Sequence, residues 1–460
     1  MMNRRDLLTG SAALVAAHAL RAQAVAPAQL TLGAPLDIPA VPRDFVGLSY
    51  ESAQLANPAF FSAENKQLIA LFRELSPSGN LRIGGGSSEF TTYSDAPPAG
   101  PPPFEVFGPD TSKTEKHGTT TTALAVQNLR AFLDATGWNC LYGLNLGQGT
   151  VENAVREATA VQRILGPRLL AFQIGNEPDS FRNRYRPATY APQDFLAEWT
   201  KFHNAIVAAV PTAKFAGPDI SNKLAYLTAF AEAAPRFKDV ILLTSHYYAM
   251  GPARDPRATL DNLLSPDPQL TTLKRRDLHI IAEAQQTAHL PYRMSEGNSC
   301  WDGGKPGVSD TFASALWCAG YMLECMTRGW TGVNLHGGGN GFYAPIVGAP
   351  STGFTRRPEF FGMLLAARYT GARALSVSAP QLNERVEVFA FERDGHHELI
   401  VVNKSAEPVT LGTPQGAREV LRLSAPGIDA KQDVLLAQMS SHRSKTLTVA
   451  PYTASVFSTH

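Results

Sequence analysis

Apolar and polar positions follow one repeating pattern from residue 44 to residue 372: a short strand-like segment, then a helical segment, of which 64–75 is amphipathic. The predicted strands are 44–51, 80–90, 138–147, 169–177, 214–221, 240–250, 292–300 and 332–339. The predicted helices are 64–75, 121–135, 151–165, 193–210, 224–234, 270–289, 310–328 and 357–369. This alternation is typical of a parallel sheet with helical crossovers. Eight repeats favour an α/β fold of the (β/α)8 TIM barrel type, and an open doubly wound sheet is the alternative.

The pattern changes after residue 374, where strands become short and are separated by turn residues. Strands are predicted at 386–392, 397–403, 408–411, 417–423, 445–449 and 455–458. Such a series indicates a small C-terminal antiparallel β-sandwich. A lone strand within 29–39 is expected to join it. The predicted organisation is therefore an N-terminal strand segment at 25–43, a catalytic barrel at 44–372 and a sandwich at 373–460.

The N-terminus has the composition of a targeting segment. Arg4 and Arg5 form a twin-arginine pattern, followed by a mildly apolar stretch and the small residues Ala22-Gln23-Ala24. Residues 1–24 are therefore predicted to be a twin-arginine-type signal peptide, which implies export to the periplasm or beyond. A disordered tail is the alternative. The apolar stretch is too short to remain in a bilayer, so no membrane anchor is predicted.

Composition excludes several partners and cofactors. The 460 residues carry a formal net charge of +1, which gives no electrostatic reason to expect nucleic acid binding. Gly84-Gly85-Gly86 lacks the spacing of a phosphate-binding loop, and no cofactor is predicted. The four cysteines, Cys140, Cys300, Cys318 and Cys325, form no metal-binding pattern and are expected to be buried free thiols.

Two predicted strands end on a carboxylate. Glu177 follows the fourth strand in the sequence Gly175-Asn176-Glu177-Pro178, and Glu296 lies at the end of the seventh. Catalytic groups of a TIM barrel lie at the C-terminal ends of its strands, so these two side chains are expected to face each other. A pair of facing carboxyl groups is what glycoside hydrolysis requires.

In these motifs the chain resembles clan A of the glycoside hydrolases, and more specifically family 79, which contains bacterial β-glucuronidases and heparanase. The resembling segments extend in order through most of the barrel and are 45–51, 81–85, 173–178, 246–251, 292–300 and 333–339. The resemblance implies that Glu177 is the general acid/base and Glu296 the nucleophile of a retaining double displacement. It also implies that Asn176 binds the sugar 2-hydroxyl.

Further pocket residues are expected on the sixth and eighth strands. His246 and Tyr248 alternate with Tyr247, so they point the same way, and a Tyr248 hydroxyl donating to Glu296 would keep that carboxylate ionised. His336 is expected to line the sugar pocket, with a structural role as the alternative. No metal site is predicted, because His246 and His336 lack a third ligand pattern.

Only the family resemblance indicates which residues would bind the substrate carboxylate. It implies that tyrosine hydroxyls and backbone N–H groups bind glucuronate, at positions that correspond to Trp301, Gly303 and Tyr343. Trp301 departs from the tyrosine expected there, and an indole N–H can only donate. Gly86 also departs from a common asparagine, which makes the neighbouring Ser87 and Ser88 pocket candidates, with a plain turn as the alternative.

The function predicted from the sequence is a cofactor-free, retaining exo-β-glucuronidase. Its substrate would be an oligosaccharide, a polysaccharide or a small glucuronide. An endo-acting heparanase-like enzyme and another retaining β-glycosidase are the nearest alternatives. A non-catalytic glycan-binding protein is an alternative of a different class, although both carboxylates are present.

Overall fold

A closed barrel of eight parallel strands organises the structure, a computed structural model that describes residues 27–96, 118–266, 273–337, 341–379 and 382–459. The strands are β1 (Val46–Glu51), β2 (Asn80–Gly84), β3 (Asn139–Leu144), β4 (Leu169–Ile174), β5 (Phe215–Ile220), β6 (Val240–Pro252), β7 (Tyr292–Trp301) and β8 (Gly332–His336). They pair in sequence order, and β8 closes the barrel on β1. The predicted TIM barrel is thereby confirmed.

Helices connect the strands and cover the barrel. They are α1 (Lys66–Leu75), α2 (Ala123–Thr136), α3 (Val151–Leu165), α4 (Pro192–Ala209), α5 (Ala225–Ala233), α6 (Leu273–Ala288), α7 (Phe312–Thr327) and α8 (Pro358–Ala367), with a further short turn of helix at Leu260–Leu263. Local sequence sets their ends. In α2 the Thr122 side chain accepts from the N–H of Ala125, and Gly137 ends the helix with a φ of 82°. Among the described residues, no helix is long and apolar enough to cross a bilayer.

The apolar core lies between the barrel wall and the helices, while the inside of the barrel is polar at several levels. Phe72, Phe132 and Trp138 pack together outside the wall. Arg82 and Arg293 are among the largest fully buried side chains. Because neighbouring residues of a strand point to opposite faces, Arg82 lies on the face opposite to Leu81 and Ile83.

A second, antiparallel sheet system forms the sandwich. Its strands are Ala28–Gln29, Thr31–Pro35, Arg373–Ser378, Val386–Arg393, His396–Asn403, Val409–Ser424, Leu435–Gln438, Ser444–Val449 and Thr453–Ser458. The N-terminal segment contributes to both of its edges: Ala28–Gln29 pairs with Leu411–Gly412, and Thr31–Pro35 pairs with the strand that begins at Arg373. The predicted sandwich is confirmed.

The structure differs from the predicted elements in places. The two strands predicted at 408–411 and 417–423 form one strand, Val409–Ser424, whose pairing is interrupted between Gly412 and Ala417. The segment after β2 is not strand as far as residue 90 but a short 3-10 helix, Gly86–Phe90. The predicted signal peptide and most of the long loop predicted at 94–117 lie outside the described residues. All four cysteines are buried free thiols, as predicted.

Candidate active site

Glu177 lies just beyond β4 in a backbone conformation that few residues adopt. Its φ is 52° and its ψ is 52°, in the left-handed region, and Asp219 at the end of β5 also has a positive φ of 60°. The two are joined directly, because the N–H of Glu177 donates to the carbonyl of Asp219 over 2.8 Å. Such conformations cost about 1–3 kcal/mol each and persist where surrounding contacts fix them. The Glu177 carboxyl group is therefore held at the barrel mouth by its backbone.

Glu296 lies on β7, beside His246 of β6 in the strand pairing. Its Oε1 accepts from the Tyr248 hydroxyl over 2.8 Å, and its Oε2 accepts from Arg82 over 2.5 Å. Tyr248 thus points into the site from β6. Tyr247 points the other way and stacks on Tyr321 of α7 with ring centroids 4.9 Å apart.

The two carboxyl groups are close together. A carboxylate oxygen of Glu177, one of Glu296 and a ring nitrogen of His246 all lie within 4.8 Å of one another. Retaining glycosidases hold their carboxyl groups roughly 5–5.5 Å apart, and inverting ones roughly 6.5–9.5 Å apart. The separation here belongs to the shorter class.

The environments of the two carboxyl groups push their pKa values in opposite directions. Burial raises the pKa of Glu177, and the negative charge of Glu296 adds to this, although His246 opposes it. Burial would also raise the pKa of Glu296, but the positive charges of His336, His246 and Arg82 outweigh it and hold that pKa well below its usual range. These opposite shifts favour a proton on Glu177 and a charge on Glu296, which is the division of roles that glycoside hydrolysis needs.

His246 connects the acid to a buried anion. Its Nδ1 lies 3.0 Å from Glu177 Oε1, and its Nε2 lies 3.2 Å from Asp219 Oδ1. Burial alone would lower the pKa of His246, but the charges of Asp219 and Glu296 and the bond to Glu177 raise it to about 10. His246 is therefore a cation at neutral pH, and it donates to the Glu177 carboxyl group.

Arg82 is the hub of the site. Fully buried on β2, it donates to Gln173 Oε1 (3.0 Å), Ser49 Oγ (3.0 Å), Glu296 Oε2 (2.5 Å), Asn176 Oδ1 (2.6 Å) and Asp219 Oδ2 (2.5 Å). These acceptors belong to, or directly follow, four different barrel strands. The guanidinium group thus joins the carboxylates of Glu296 and Asp219 and the Asn176 amide in one hydrogen-bond network.

Asn176 is oriented by that network. Its Oδ1 accepts from Arg82, so its Nδ2 faces elsewhere, and Nδ2 has no hydrogen bond to any residue that the structure describes. Its own N–H donates to the carboxylate of Glu89, which also accepts from the N–H groups of Leu146 and Gly147. The amide N–H groups of Asn176 are therefore available to donate to a substrate oxygen.

His336 closes the other side of the site from the end of β8. Its Nδ1 lies 3.3 Å from Ser49 Oγ and 3.9 Å from Glu296 Oε2, and its Nε2 lies 3.5 Å from Glu51 Oε1. Burial lowers the pKa of His336, but the charges of Glu296 and Glu51 raise it more, so the net shift is upward. Three basic groups, Arg82, His246 and His336, thus face four carboxyl groups, those of Glu51, Glu177, Asp219 and Glu296.

The two serines after β2 hold other parts of the structure. Ser87 Oγ donates to Glu51 Oε2 over 2.5 Å and accepts from the N–H of Ala53. Ser88 Oγ donates to the carbonyl of Gly85 over 2.9 Å, and its side chain is buried. Ser87 therefore fixes Glu51, while Ser88 stabilises its own turn.

Tyr343 lies beside the site, and we refer to it and the Gly303 segment bonded to its neighbour as the wall. The Tyr343 ring lies 5.6 Å from the ring of His336 and 6.3 Å from that of Tyr248. The segments that follow β7 and β8 are joined by a 2.6 Å hydrogen bond from Phe342 N–H to the Gly303 carbonyl. Trp301 lines a cleft of about 470 Å³ that Glu177, His246 and Tyr248 also line.

Glu177, His246 and Glu296 are also close enough to share a metal ion. The charges of these three side chains suit proton transfer better than metal binding. Arg82 already donates to Glu296, and the raised pKa of His246 means that a metal would have to displace a bound proton. We therefore interpret the cluster as an acid/base site.

Sequence reasoning missed Arg82, Asp219 and Glu89 as functional residues. A usable signal existed for two of them. Arg82 is a charged residue in the middle of an otherwise apolar strand, and Asp219 ends a strand, as Glu177 and Glu296 do. Glu89 lies in the turn after β2. Nothing in its local sequence indicates that it accepts hydrogen bonds from the segments that follow β3 and β4.

Two facing carboxyl groups of opposed proton affinity at the mouth of a (β/α)8 barrel are the arrangement of glycoside hydrolases. Curated relatives agree. The chain is 25% identical over 406 residues to a β-glucuronidase of Aspergillus niger, covering 80% of this chain and 73% of that protein. It is 26% identical over 319 residues to a β-glucuronidase of Neurospora crassa, covering 62% of this chain and 55% of that protein. Fold, site and relatives together support a glycoside hydrolase.

Solved structures match the fold of most of the chain, and one domain family matches part of the sandwich. A 4-O-α-L-rhamnosyl-β-D-glucuronidase from Fusarium oxysporum matches with a TM-score of 0.72 at 17% identity, covering 94% of this chain and 99% of that one. A GH51 arabinofuranosidase from Xanthomonas axonopodis pv. citri matches with a TM-score of 0.68 at 16% identity and the same coverage. Residues 383–456 match the C-terminal immunoglobulin-like domain of D-apionate lactonase. That match lies in the sandwich, away from the site.

Proposed function

We propose that this protein is a retaining exo-β-glucuronidase that releases terminal β-linked glucuronic acid by double displacement. The observation that supports this best is the Glu177–Glu296 pair, with oxygens within 4.8 Å and pKa values shifted apart. Glu296, ionised by Arg82 and by the Tyr248 hydroxyl, attacks the anomeric carbon. Glu177 gives its proton to the departing oxygen and then removes one from the water that cleaves the glycosyl–enzyme bond.

Two features of the site support sugar binding by Asn176 and proton transfer by Glu177. The free N–H groups of the Asn176 amide suit a sugar 2-hydroxyl, a contact that strengthens in the transition state. His246 remains charged while Glu177 loses and regains its proton. It therefore supports the carboxylate form of Glu177 that appears once the proton has gone.

The preference for glucuronate rests on the two curated relatives and on the wall formed by Gly303 and Tyr343. Backbone N–H groups near Gly303 and the Tyr343 hydroxyl are the donors we assign to the sugar carboxylate. Exo action is supported by the same wall. It joins the segments after β7 and β8, and Tyr343 does not line the cleft beside Glu177. We place this wall at the non-reducing end of the substrate, where it would block further sugars.

A substrate panel tests the proposal. Purified protein should hydrolyse 4-nitrophenyl β-D-glucuronide faster than the corresponding glucoside, galactoside and xyloside. Glu296→Gln should abolish turnover. Glu157→Gln is the matched control, because Glu157 is also buried but accepts only from the Tyr142 hydroxyl, outside the site. Faster turnover of another glycoside would overturn the sugar assignment, and release of internal fragments from a glucuronate polysaccharide would favour endo action. A folded protein with no turnover would indicate glycan binding alone.

We also propose that the chain is exported through its twin-arginine segment. Replacing Arg4 and Arg5 by lysine should keep the protein in the cytoplasm of a bacterial host. Cell fractionation measures this, and unchanged export would contradict it.

A further inference from the structure

The cleft beside Glu177 has a chemical direction. It is lined by Glu177, His246 and Tyr248 and by the later residues Pro252, Arg257 and Trp301, whereas Glu296 is not among its lining residues. In a double displacement the nucleophile and the acid lie on opposite sides of the bond that breaks. The group attached through the oxygen that Glu177 protonates must therefore extend into this cleft.

Trp301 is unusual in its exposure. It is the last residue of β7, paired with Pro252 at the end of β6, and its carbonyl accepts from the N–H of Ala253 over 3.1 Å. Its backbone is thus fixed by the sheet. Yet 41% of the residue is exposed, and the only other exposed large apolar residues that the structure describes are Leu124 and Leu435. Leaving an indole in water forfeits the burial free energy it would gain in a core.

Arg254 holds one face of that indole. Its guanidinium carbon lies 5.4 Å from the ring centroid, and its Nη1 donates to Asp302 Oδ2 over 2.6 Å. Arg254 is not among the residues that line the cleft, whereas Trp301 is. The cation therefore contacts the ring from outside the cleft and restricts it, while Trp301 itself lines the cleft.

Polar groups lie at suitable places around the open face. Arg257 lines the same cleft and is fixed by Asp255 through contacts of 2.8 and 3.1 Å. Ser180 and Asn222 line the cleft near Glu177. A cleft with a flat aromatic side chain, a guanidinium group and a hydroxyl along its lining suits a six-membered ring that has an apolar face and a polar edge.

We propose that Trp301, backed by Arg254, is the platform on which the leaving group stacks, and that the enzyme selects glycosides whose leaving group is a ring, either a pyranose or an aryl group. The assignment rests on the proposed function, in which Glu177 protonates this group. It gives Trp301 a role on the leaving-group side of the bond, distinct from recognition of the sugar carboxylate.

The test compares three leaving groups on one sugar. Values of kcat/KM are measured for the methyl glycoside, the 4-nitrophenyl glycoside and a disaccharide of β-D-glucuronic acid, with wild type and Trp301→Ala. The ratio of variant to wild type for each substrate removes differences in intrinsic reactivity. We expect Trp301→Ala to lower kcat/KM at least tenfold for the aryl glycoside, the disaccharide or both, and less than twofold for the methyl glycoside. Loss on one ring substrate alone identifies which kind of ring the platform accepts.

Two further variants complete the design. Trp301→Phe should restore most of the loss because it keeps a flat ring, and Leu435→Ala, an exposed apolar residue of the sandwich, should change nothing. Equal loss on all three substrates, or no loss on either ring substrate, would overturn the proposal. If the substrate panel shows that another β-glycoside is preferred, the same leaving groups are compared on that sugar. A wrong sugar assignment is then distinguished from a wrong role for Trp301. A protein that hydrolyses no β-glycoside contradicts both.

Discussion

Replacement of Arg82 by methionine should raise the pH at which the enzyme loses activity on the acid side. Arg82 lies 2.5 Å from both Glu296 and Asp219, and its side chain is fully buried. A hydrogen bond to a charged group contributes about 1.5–3 kcal/mol. Since one pKa unit corresponds to about 1.4 kcal/mol, loss of this bond should raise the pKa of Glu296 by about 1–2 units.

The direction in which the acid limb moves follows from the lowered pKa of Glu296 in the native protein. The pKa of Glu296 is held low in the folded protein, so the carboxylate stabilises the fold above its unfolded pKa, and that contribution is lost as pH falls through the folded pKa. In Arg82→Met the nucleophile takes up its proton at higher pH, and the acid limb of kcat/KM moves upward. Leaving a buried carboxylate without its partner should also lower the free energy of unfolding by about 3–5 kcal/mol.

Arg293 provides a matched control for this experiment. It is equally buried on β7, but it donates to Asn334 Oδ1 and to backbone carbonyls rather than to a carboxylate. Burial lowers the pKa of Arg293 to about 10. Arg293→Met should therefore destabilise the protein, measured by urea unfolding, without moving the acid limb.

The assay is kcat/KM against pH, with folding checked by circular dichroism at each pH. If Arg82→Met does not fold, Arg82→Lys serves in its place. It keeps the charge but cannot reach five acceptors at once, so a smaller upward shift is expected. An acid limb that stays at its wild-type position in a folded Arg82 variant, or that moves as far in Arg293→Met, would refute the reasoning.

Three other substitutions test the remaining contacts. Tyr248→Phe removes the 2.8 Å donor to Glu296 and should lower kcat/KM by roughly 10- to 100-fold, with the acid limb again moved upward; an unchanged pH profile would contradict this. His246→Gln removes a cation whose pKa is raised to about 10, so wild-type stability should decline as pH rises from about 6.5 through 10, and the variant should lack that decline in urea unfolding measured over this range. Glu89→Gln leaves the three N–H groups of Leu146, Gly147 and Asn176 poorly satisfied and should lower kcat more than KM changes, at a cost in stability of about 1–3 kcal/mol. Glu157→Gln is its control, and equal effects of the two on kcat would show that Glu89 does not position Asn176.

The periodicity of the chain was sufficient to predict the barrel, because each largely apolar strand is followed by a helical segment. The strand ends at Glu177 and Glu296 could be recognised for the same reason. The two-residue repeat of a strand also predicted that Tyr248, rather than Tyr247, points into the site.

Contacts between distant segments could not be predicted in this way. The pairing of β6 with β7 shifts register between Ser245 and His246, and this irregularity sets which residue lies beside Glu296. The left-handed backbone of Glu177 and Asp219 depends on the hydrogen bond between them, which no local pattern encodes. Burial of Arg82 could not be predicted from its own strand. A buried charge is costly unless it is paired, and the partners of Arg82 lie on other strands.

The direction in which Trp301 faces was also beyond the sequence. The family resemblance implied a contact between Trp301 and the sugar carboxylate, and that contact stays a prediction. The structure has Trp301 lining the cleft that Glu177 also lines, with Arg254 against its ring. A side chain at a strand end can turn to either side of the barrel rim, and only the neighbouring segments determine which.

The configuration of the first product tests the roles of Glu177 and Glu296 most directly. Proton NMR of the reaction with 4-nitrophenyl β-D-glucuronide, recorded before mutarotation, distinguishes the two anomers of the released sugar. Carboxyl oxygens within 4.8 Å predict double displacement, so the β-anomer should appear first. Initial release of the α-anomer would mean that water attacks directly, and it would contradict the assignment of Glu296 as the nucleophile.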